Sequence, residues 1–172
     1  MKRMRKPNID AHLTVIVTDK NGKVVLRKRY KSRSFVVGFL NALYSDFTYG
    51  GLFNSPNIVV GSGTAKPTIS DTGLESQIGN GTGSGQLQYG SNSLTTPAVN
   101  TSTNTGSITW NKSFTNGSGG NVTVSEVGAY ANISNTSGGS ATYFILHDLL
   151  PSPITLSPNQ VLTVAYTITI ST

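Results

Sequence analysis

The chain has 172 residues, of which 12% are charged, with 13 Lys and Arg against 7 Asp and Glu and no cysteine. That length suits one domain whose core needs no staples. The missing thiols exclude a disulfide framework, a thiolate nucleophile and a Cys-ligated metal. Charge is unevenly spread: residues 1–33 hold eleven of the cations against Asp10 and Asp19, a net of +9, while residues 34–172 hold Lys66 and Lys112 against five acids, a net of −3.

Residues 1–8 read as a basic tail, and residues 9–172 as a single all-β domain. Ser, Thr, Asn and Gly dominate the composition, which favours short strands joined by turns and is poor in helix formers. The tail begins Met1-Lys2-Arg3-Met4-Arg5-Lys6, but the apolar stretch of an export signal does not follow, because Pro7, Asn8, Asp10 and His12 interrupt it. The expectation is synthesis in the cytoplasm without signal-directed export. No stretch approaches the roughly 20 apolar residues of a membrane helix.

Residues 12–18 and 23–30 are predicted to form a hairpin. Leu13, Val15 and Val17 alternate with polar neighbours, and Asn21-Gly22 supplies two residues that tolerate positive φ. Residues 34–47 are the one helix candidate, capped by Ser32 or Ser34, with Val36, Phe39, Leu40, Leu43 and Phe47 at helical spacing. Gly38 weakens that helix by about 1 kcal/mol relative to Ala. Residues 9–47 together form a candidate attachment module.

Asn57–Val60 reads as a short strand ending in a Gly-Ser turn. Asp71 is expected to cap a short helical turn that carries Leu74 and Ile78. Residues 79–106 are the least structured part, a long polar loop with one short strand around Leu87 and Tyr89. Further on, Ile108, Trp110 and Phe114 alternate with polar residues, and Lys112 falls on the apolar parity. Val122 and Val124 then give way to Val127, Ala129 and Ala131 on the other parity, which predicts a β-bulge near Ser125-Glu126. Tyr143 to Leu149 is a buried-strand run, and Pro151-Ser152-Pro153 and Pro158-Asn159 mark turns. Leu162 to Ile170 is a strong last strand. Seven to nine strands with turn signals every ten residues or so predict an antiparallel β-sandwich or jelly roll with one short helix near the N-terminus.

No catalytic constellation is visible, and the expectation is a protein that is not an enzyme, with no cofactor and no metal. His12 and His147 lack metal-ligand spacing. His147 and Asp148 are adjacent and so point to opposite faces of a strand. Asp71, Glu75, Glu126 and Asp148 are the acids that could converge as a paired-carboxylate site. Gly61-Ser62-Gly63-Thr64 lacks the Gly-Lys-Ser/Thr ending of a phosphate loop and reads as a turn.

The basic segment carries the candidate contacts to a partner protein or to nucleic acid: Lys2, Arg3, Arg5, Lys6, Arg27, Lys28, Arg29, Lys31 and Arg33. Lys on an edge strand also discourages aggregation. Candidate glycosylation sites of the form Asn-x-Ser/Thr are Asn80, Asn100, Asn111, Asn116, Asn121, Asn132 and Asn135. Trp110, Tyr89, Tyr130 and Tyr143 are the aromatics a carbohydrate platform would use, although Trp110 also suits a core.

The part from residue 57 onward resembles structural β-sandwich proteins of tailed bacteriophages and archaeal viruses, those of tails and capsid surfaces. The resemblance is carried by Ile58-Val59-Val60-Gly61-Ser62-Gly63-Thr64, by Pro67-Thr68-Ile69-Ser70-Asp71-Thr72-Gly73-Leu74-Glu75, and by Ser125-Glu126-Val127-Gly128-Ala129-Tyr130. Leu149-Leu150-Pro151-Ser152-Pro153-Ile154-Thr155-Leu156 and the closing Leu162-Thr163-Val164-Ala165-Tyr166-Thr167-Ile168-Thr169-Ile170 complete it. It covers about two-thirds of the chain. It implies a virion protein that assembles with copies of itself and with other virion proteins as a capsid, decoration, tail or fibre component, with no membrane contact. Two other expectations stand beside it: a receptor- or carbohydrate-binding module, and a cellular surface-filament subunit that assembles by exchange of the last strand.

Overall fold

A computed structural model describes residues 8–32, 34–42, 56–95, 98–134 and 140–171. They form ten strand segments: β1 (Asn8–Thr18), β2 (Val24–Ser32), β3 (Pro56–Gly61), β4 (Gln88–Tyr89), β5 (Ser93–Leu94), β6 (Ala98–Asn100), β7 (Thr105–Thr115), β8 (Val122–Ser134), β9 (Ser140–Leu156) and β10 (Val161–Ser171). Residues 37–42 form a short helix, α1. The count exceeds the expected seven to nine because the polar stretch contributes β5 and β6 beside β4, the short strand expected around Leu87 and Tyr89.

Two antiparallel sheets result. The larger runs β2-β1-β10-β7-β4, with β5 and β6 also pairing with β7, and the smaller runs β3-β8-β9. Alternation explains why they face one another. Ala11, Leu13, Val15 and Val17 of β1 are buried, as are Leu162, Val164, Tyr166 and Ile168 of β10 and Trp110 and Phe114 of β7. They meet Ile58, Val60, Val124, Val127, Ala129, Leu146 and Ile154 of the smaller sheet in one core. The hairpin turn forms at the expected place, but of Asn21 and Gly22 only Gly22 takes a positive φ, of 78°, and the Asp19 carboxylate accepts the amides of Asn21 and Lys23.

Several expectations are corrected. β10 is paired on both sides, along its whole length with β1 and with β7. It is therefore a central strand and not an edge open to exchange. α1 begins at residue 37, after Ser32 has ended β2 and turned to the Asp148 carboxylate, so neither Ser32 nor Ser34 caps it. Phe39 is buried, whereas Leu40 points to solvent; Leu43 and Phe47 lie outside the described residues. Gly38 has a packing reason, because a Cβ there would collide with the Phe144 carbonyl.

Residues 79–106 are not one long loop. Leu87 is fully buried, and β4, β5 and β6 lie successively along β7. The polarity of the stretch is that of an exposed margin held by backbone pairing. No helix follows Asp71; instead the chain from 62 to 78 folds over the outer face of the smaller sheet. There Leu74 and the half-buried Tyr130 pack on Val36, Val59 and Phe144, a second and smaller core.

The bulge expected near Ser125-Glu126 occurs, and its extra residues are on the partner strand. Glu126 pairs with Leu149 and Val124 with Ile154, so Ser125 alone faces Leu150 to Pro153. Pro151 and Pro153 have no amide hydrogen to give to a ladder. They distort β9 there instead of ending it. A second shift lies between Ala129 and Tyr130, where Ile145 is the extra residue.

Candidate functional site

Of the four acids singled out by the sequence, Asp71 and Glu126 converge on His147, Glu75 lies beside them, and Asp148 does not join them. Glu126 and His147 occupy the outer face of the β8–β9 pair, under the 62–78 segment. His147 Nδ1 lies 2.6 Å from Asp71 Oδ2, and its Nε2 lies 3.0 Å from Glu126 Oε2. Glu126 also accepts three backbone amides: Gly63 and Ser76 on Oε1, at 3.0 and 2.8 Å, and Glu75 on Oε2 at 3.0 Å. Glu75 in turn accepts the amides of Thr64 and Ala65. Gly61 and Gly63 allow this closeness, since a Cβ on either would press into Glu126.

The arrangement is a clasp. Burial alone would raise the Asp71 carboxyl, but the Thr68 hydroxyl and amide together with His147 hold it below the ordinary range. The Glu75 carboxyl is lowered by the amides of Ala65 and Thr64. Every oxygen of Glu126 is committed to backbone or to His147, and Glu126 and His147 are 1% and 3% exposed. These groups hold a surface segment in place, with Glu126 and His147 beneath it and Asp71 and Glu75 at the solvent margin. Among the described residues, no group of three or more His, Asp or Glu is arranged to hold a metal ion.

On the other side of β9, Asp148 faces the main core. Its carboxylate accepts the hydroxyls of Ser32 at 2.7 Å and Tyr166 at 3.0 Å. Burial pushes the Asp148 carboxyl up. Burial, and then the charge of Asp148, push the Tyr166 phenol well up. Lys112, on the inward parity of β7, reaches across to β3. Its Nζ donates to Asn57 Oδ1 at 2.6 Å and lies 4.8 Å from the Tyr89 ring centre. Burial lowers its pKa.

The expected partner-contact residues are only partly brought together. Arg27, Arg29 and Lys31 are exposed on β2, while Lys28 has the opposite parity. Lys2, Arg3, Arg5, Lys6 and Arg33 lie outside the described residues. The aromatics expected as a sugar platform do not form one. Trp110 is a core residue, Tyr89 stacks edge-on against Phe114, Tyr130 packs on Phe144, and Tyr143 packs against the core.

Of the candidate glycosylation sites, Asn80, Asn100, Asn121 and Asn132 are exposed and Asn111 is half-buried. Asn116 is corrected. It is fully buried, and its Nδ2 donates to the carbonyls of Gly120 and Leu156, so no glycosylating enzyme can reach that nitrogen in the folded chain. Asn135 lies outside the described residues.

One exposed feature has no packing partner among the described residues. Ile9 pairs with Ile170, Ile170 with Gly106, and Gly106 with Val99. Directly opposed residues share a face. These three apolar side chains therefore form a row on the inward face of the larger sheet, at its far end. They are 39%, 50% and 76% exposed.

Comparison of the chain with protein-family models, with curated proteins and with solved structures gave no match. No described helix is long and apolar enough to cross a membrane.

Proposed function

We propose that the chain is a virion structural protein of the tail or capsid-surface kind, a non-enzymatic sandwich that assembles with copies of itself and with neighbouring virion proteins. The observation that carries this reading is the row Ile9, Ile170 and Val99, which continues the core stripe of β1, β10 and β7 into solvent. Apolar rows left open at the margin of a core favour burial against another molecule. The resemblance of residues 57 onward to phage and archaeal-virus sandwiches supports the same reading. So does the commitment of the buried acids and His147 to holding the fold.

The test is the mass of the purified chain in solution, by light scattering after size exclusion, with negative-stain images of the same fractions. Rings, trimers, tubes or filaments are the expected result. A strict monomer at high concentration, alone and with the other proteins of its particle, would overturn the assembly reading.

A further inference from the structure

β2 is an outer edge of the larger sheet, paired with β1 on one side and with no described strand on the other. Arg27, Arg29 and Lys31 stand opposite Ile16, Thr14 and His12, on the solvent face of that sheet, and all three are exposed. Alternate side chains on a strand lie roughly 6.7 Å apart, so the cations form an evenly spaced row along the margin. The face beside them carries hydroxyls. Thr14 of β1, Thr163, Thr167 and Thr169 of β10 and Thr109 of β7 share it; Thr167 lies between His12 and Thr109 and is hydrogen-bonded to Thr109 at 2.9 Å. β10 contains no charged residue, and the one charged residue of β7, Lys112, points inward. Among the described residues the hairpin therefore sets the sign of the field over this face.

Of the row, only Lys31 is neutralised, by Asp10 at 2.7 Å; Arg27 and Arg29 form no ion pair among the described residues. Among the described residues, a second copy has no unengaged carboxylate with which to supply the missing anions. All six described carboxylates are engaged within their own chain: Asp10 by Lys31, Asp19 by turn amides, Asp71 and Glu126 by His147, Glu75 by the amides of Thr64 and Ala65, and Asp148 by Ser32 and Tyr166. The complement is then a different, anionic molecule. A straight, evenly spaced row suits a linear polyanion, and guanidinium groups bordered by hydroxyl donors suit phosphate oxygens.

We infer that the Arg27–Arg29–Lys31 row and the adjoining threonine face bind the phosphate backbone of a nucleic acid without reading its sequence. The inference is independent of the assembly reading, because a monomer carries the whole surface.

The experiment is fluorescence anisotropy of the full chain with a labelled mixed-sequence duplex and a labelled single strand, over a series of salt concentrations. Log affinity should fall linearly with log salt and be indifferent to sequence. Arg27→Gln with Arg29→Gln should make the duplex slope shallower by about 1.8, at about 0.9 per phosphate contact. A second variant, Lys2, Arg3, Arg5 and Lys6 all to Gln, removes the tail's share, and the same two Arg substitutions should reduce the remaining slope by the same amount. Thermal melts confirm that each variant is folded. An unchanged slope in a folded Arg27/Arg29 variant would overturn the inference. So would binding of poly-glutamate as tight as that of the duplex at matched salt, which would assign the row to an acidic protein.

Discussion

His147 and Asp148 are consecutive in β9, yet each serves a different layer of the molecule. His147 bridges Asp71 and Glu126 on the outer face of the smaller sheet, and Asp148 receives Ser32 and Tyr166 from the larger one. A strand alternates its side chains between faces, so one dipeptide fastens the 62–78 segment outside and joins the sheets inside.

The outer clasp depends most on Glu126. Replacing it with Ala leaves the amides of Gly63, Glu75 and Ser76 and one nitrogen of His147 without their acceptor. Buried donors left in this way cost about 1–3 kcal/mol each, less where water enters. Glu126→Ala should therefore lose about 3–5 kcal/mol in urea unfolding, the range seen when a buried charged network loses one member. Proteolysis within residues 62–78 should appear at urea concentrations where the wild-type segment resists. Wild-type resistance in the variant would mean that the clasp contributes little.

Asp71 and Asp148 should oppose one another in the pH dependence of stability. The Asp71 carboxyl is lowered in the fold, so its contribution is present above the ordinary carboxylate value and is lost as pH falls through its folded value. The Asp148 carboxyl is raised, so the fold holds its proton more tightly than the unfolded chain does. Its contribution is full in acid and is lost as pH rises through the raised value. Relative to wild type, Asp148→Asn should gain more melting temperature at neutral pH than in mild acid, and Asp71→Asn should lose more at neutral pH than in acid. Parallel curves for wild type and both variants would refute the assignment.

Lys112 donates to an amide and lies beside aromatic rings; among the described residues it forms no ion pair. Burial lowers its pKa, so between the folded and ordinary values the unfolded chain binds more protons and stability rises with pH. Lys112→Met removes that rise. At neutral pH the variant should range from neutral to about 2 kcal/mol more stable, the removed cost of a buried charge outweighing one lost hydrogen bond. Denaturant midpoints across the alkaline range check this, and a steep loss at neutral pH would show that the Asn57 contact dominates.

The apolar row predicts a separation of assembly from folding. Ile170→Lys and Val99→Lys change side chains at least half exposed, so each should alter stability by no more than about 0.5 kcal/mol. Either should shift the solution mass toward the monomer. Particles of wild-type mass and appearance from both variants would place the assembly surface elsewhere.

The sequence by itself determined the elements with the strictest local rules. Period-two alternation marked β1, β7, β8 and β10, because a strand with one buried face admits no other pattern. Asn21-Gly22 and Pro158-Asn159 marked turns through the positive φ that Gly22 and Asn159 adopt. The parity change around Ser125-Glu126 marked the irregularity in β8–β9 pairing. The inward parity of Lys112 and the opposed faces of His147 and Asp148 could be read in the same way.

Only the tertiary structure decided what depends on distance along the chain. Asp71, Glu126 and His147 are separated by 55 and 21 residues, and no local pattern joins them until β8 and β9 pair and the 62–78 segment folds back. The last strand became central because β1 and β7 flank it, and strand order is a property of long-range pairing. The polar stretch after residue 79 is ordered along β7 by backbone hydrogen bonds, which do not register in side-chain polarity. Alternation states which face a residue takes; which partner it finds there depends on closing long loops, and the residues within those loops do not encode it.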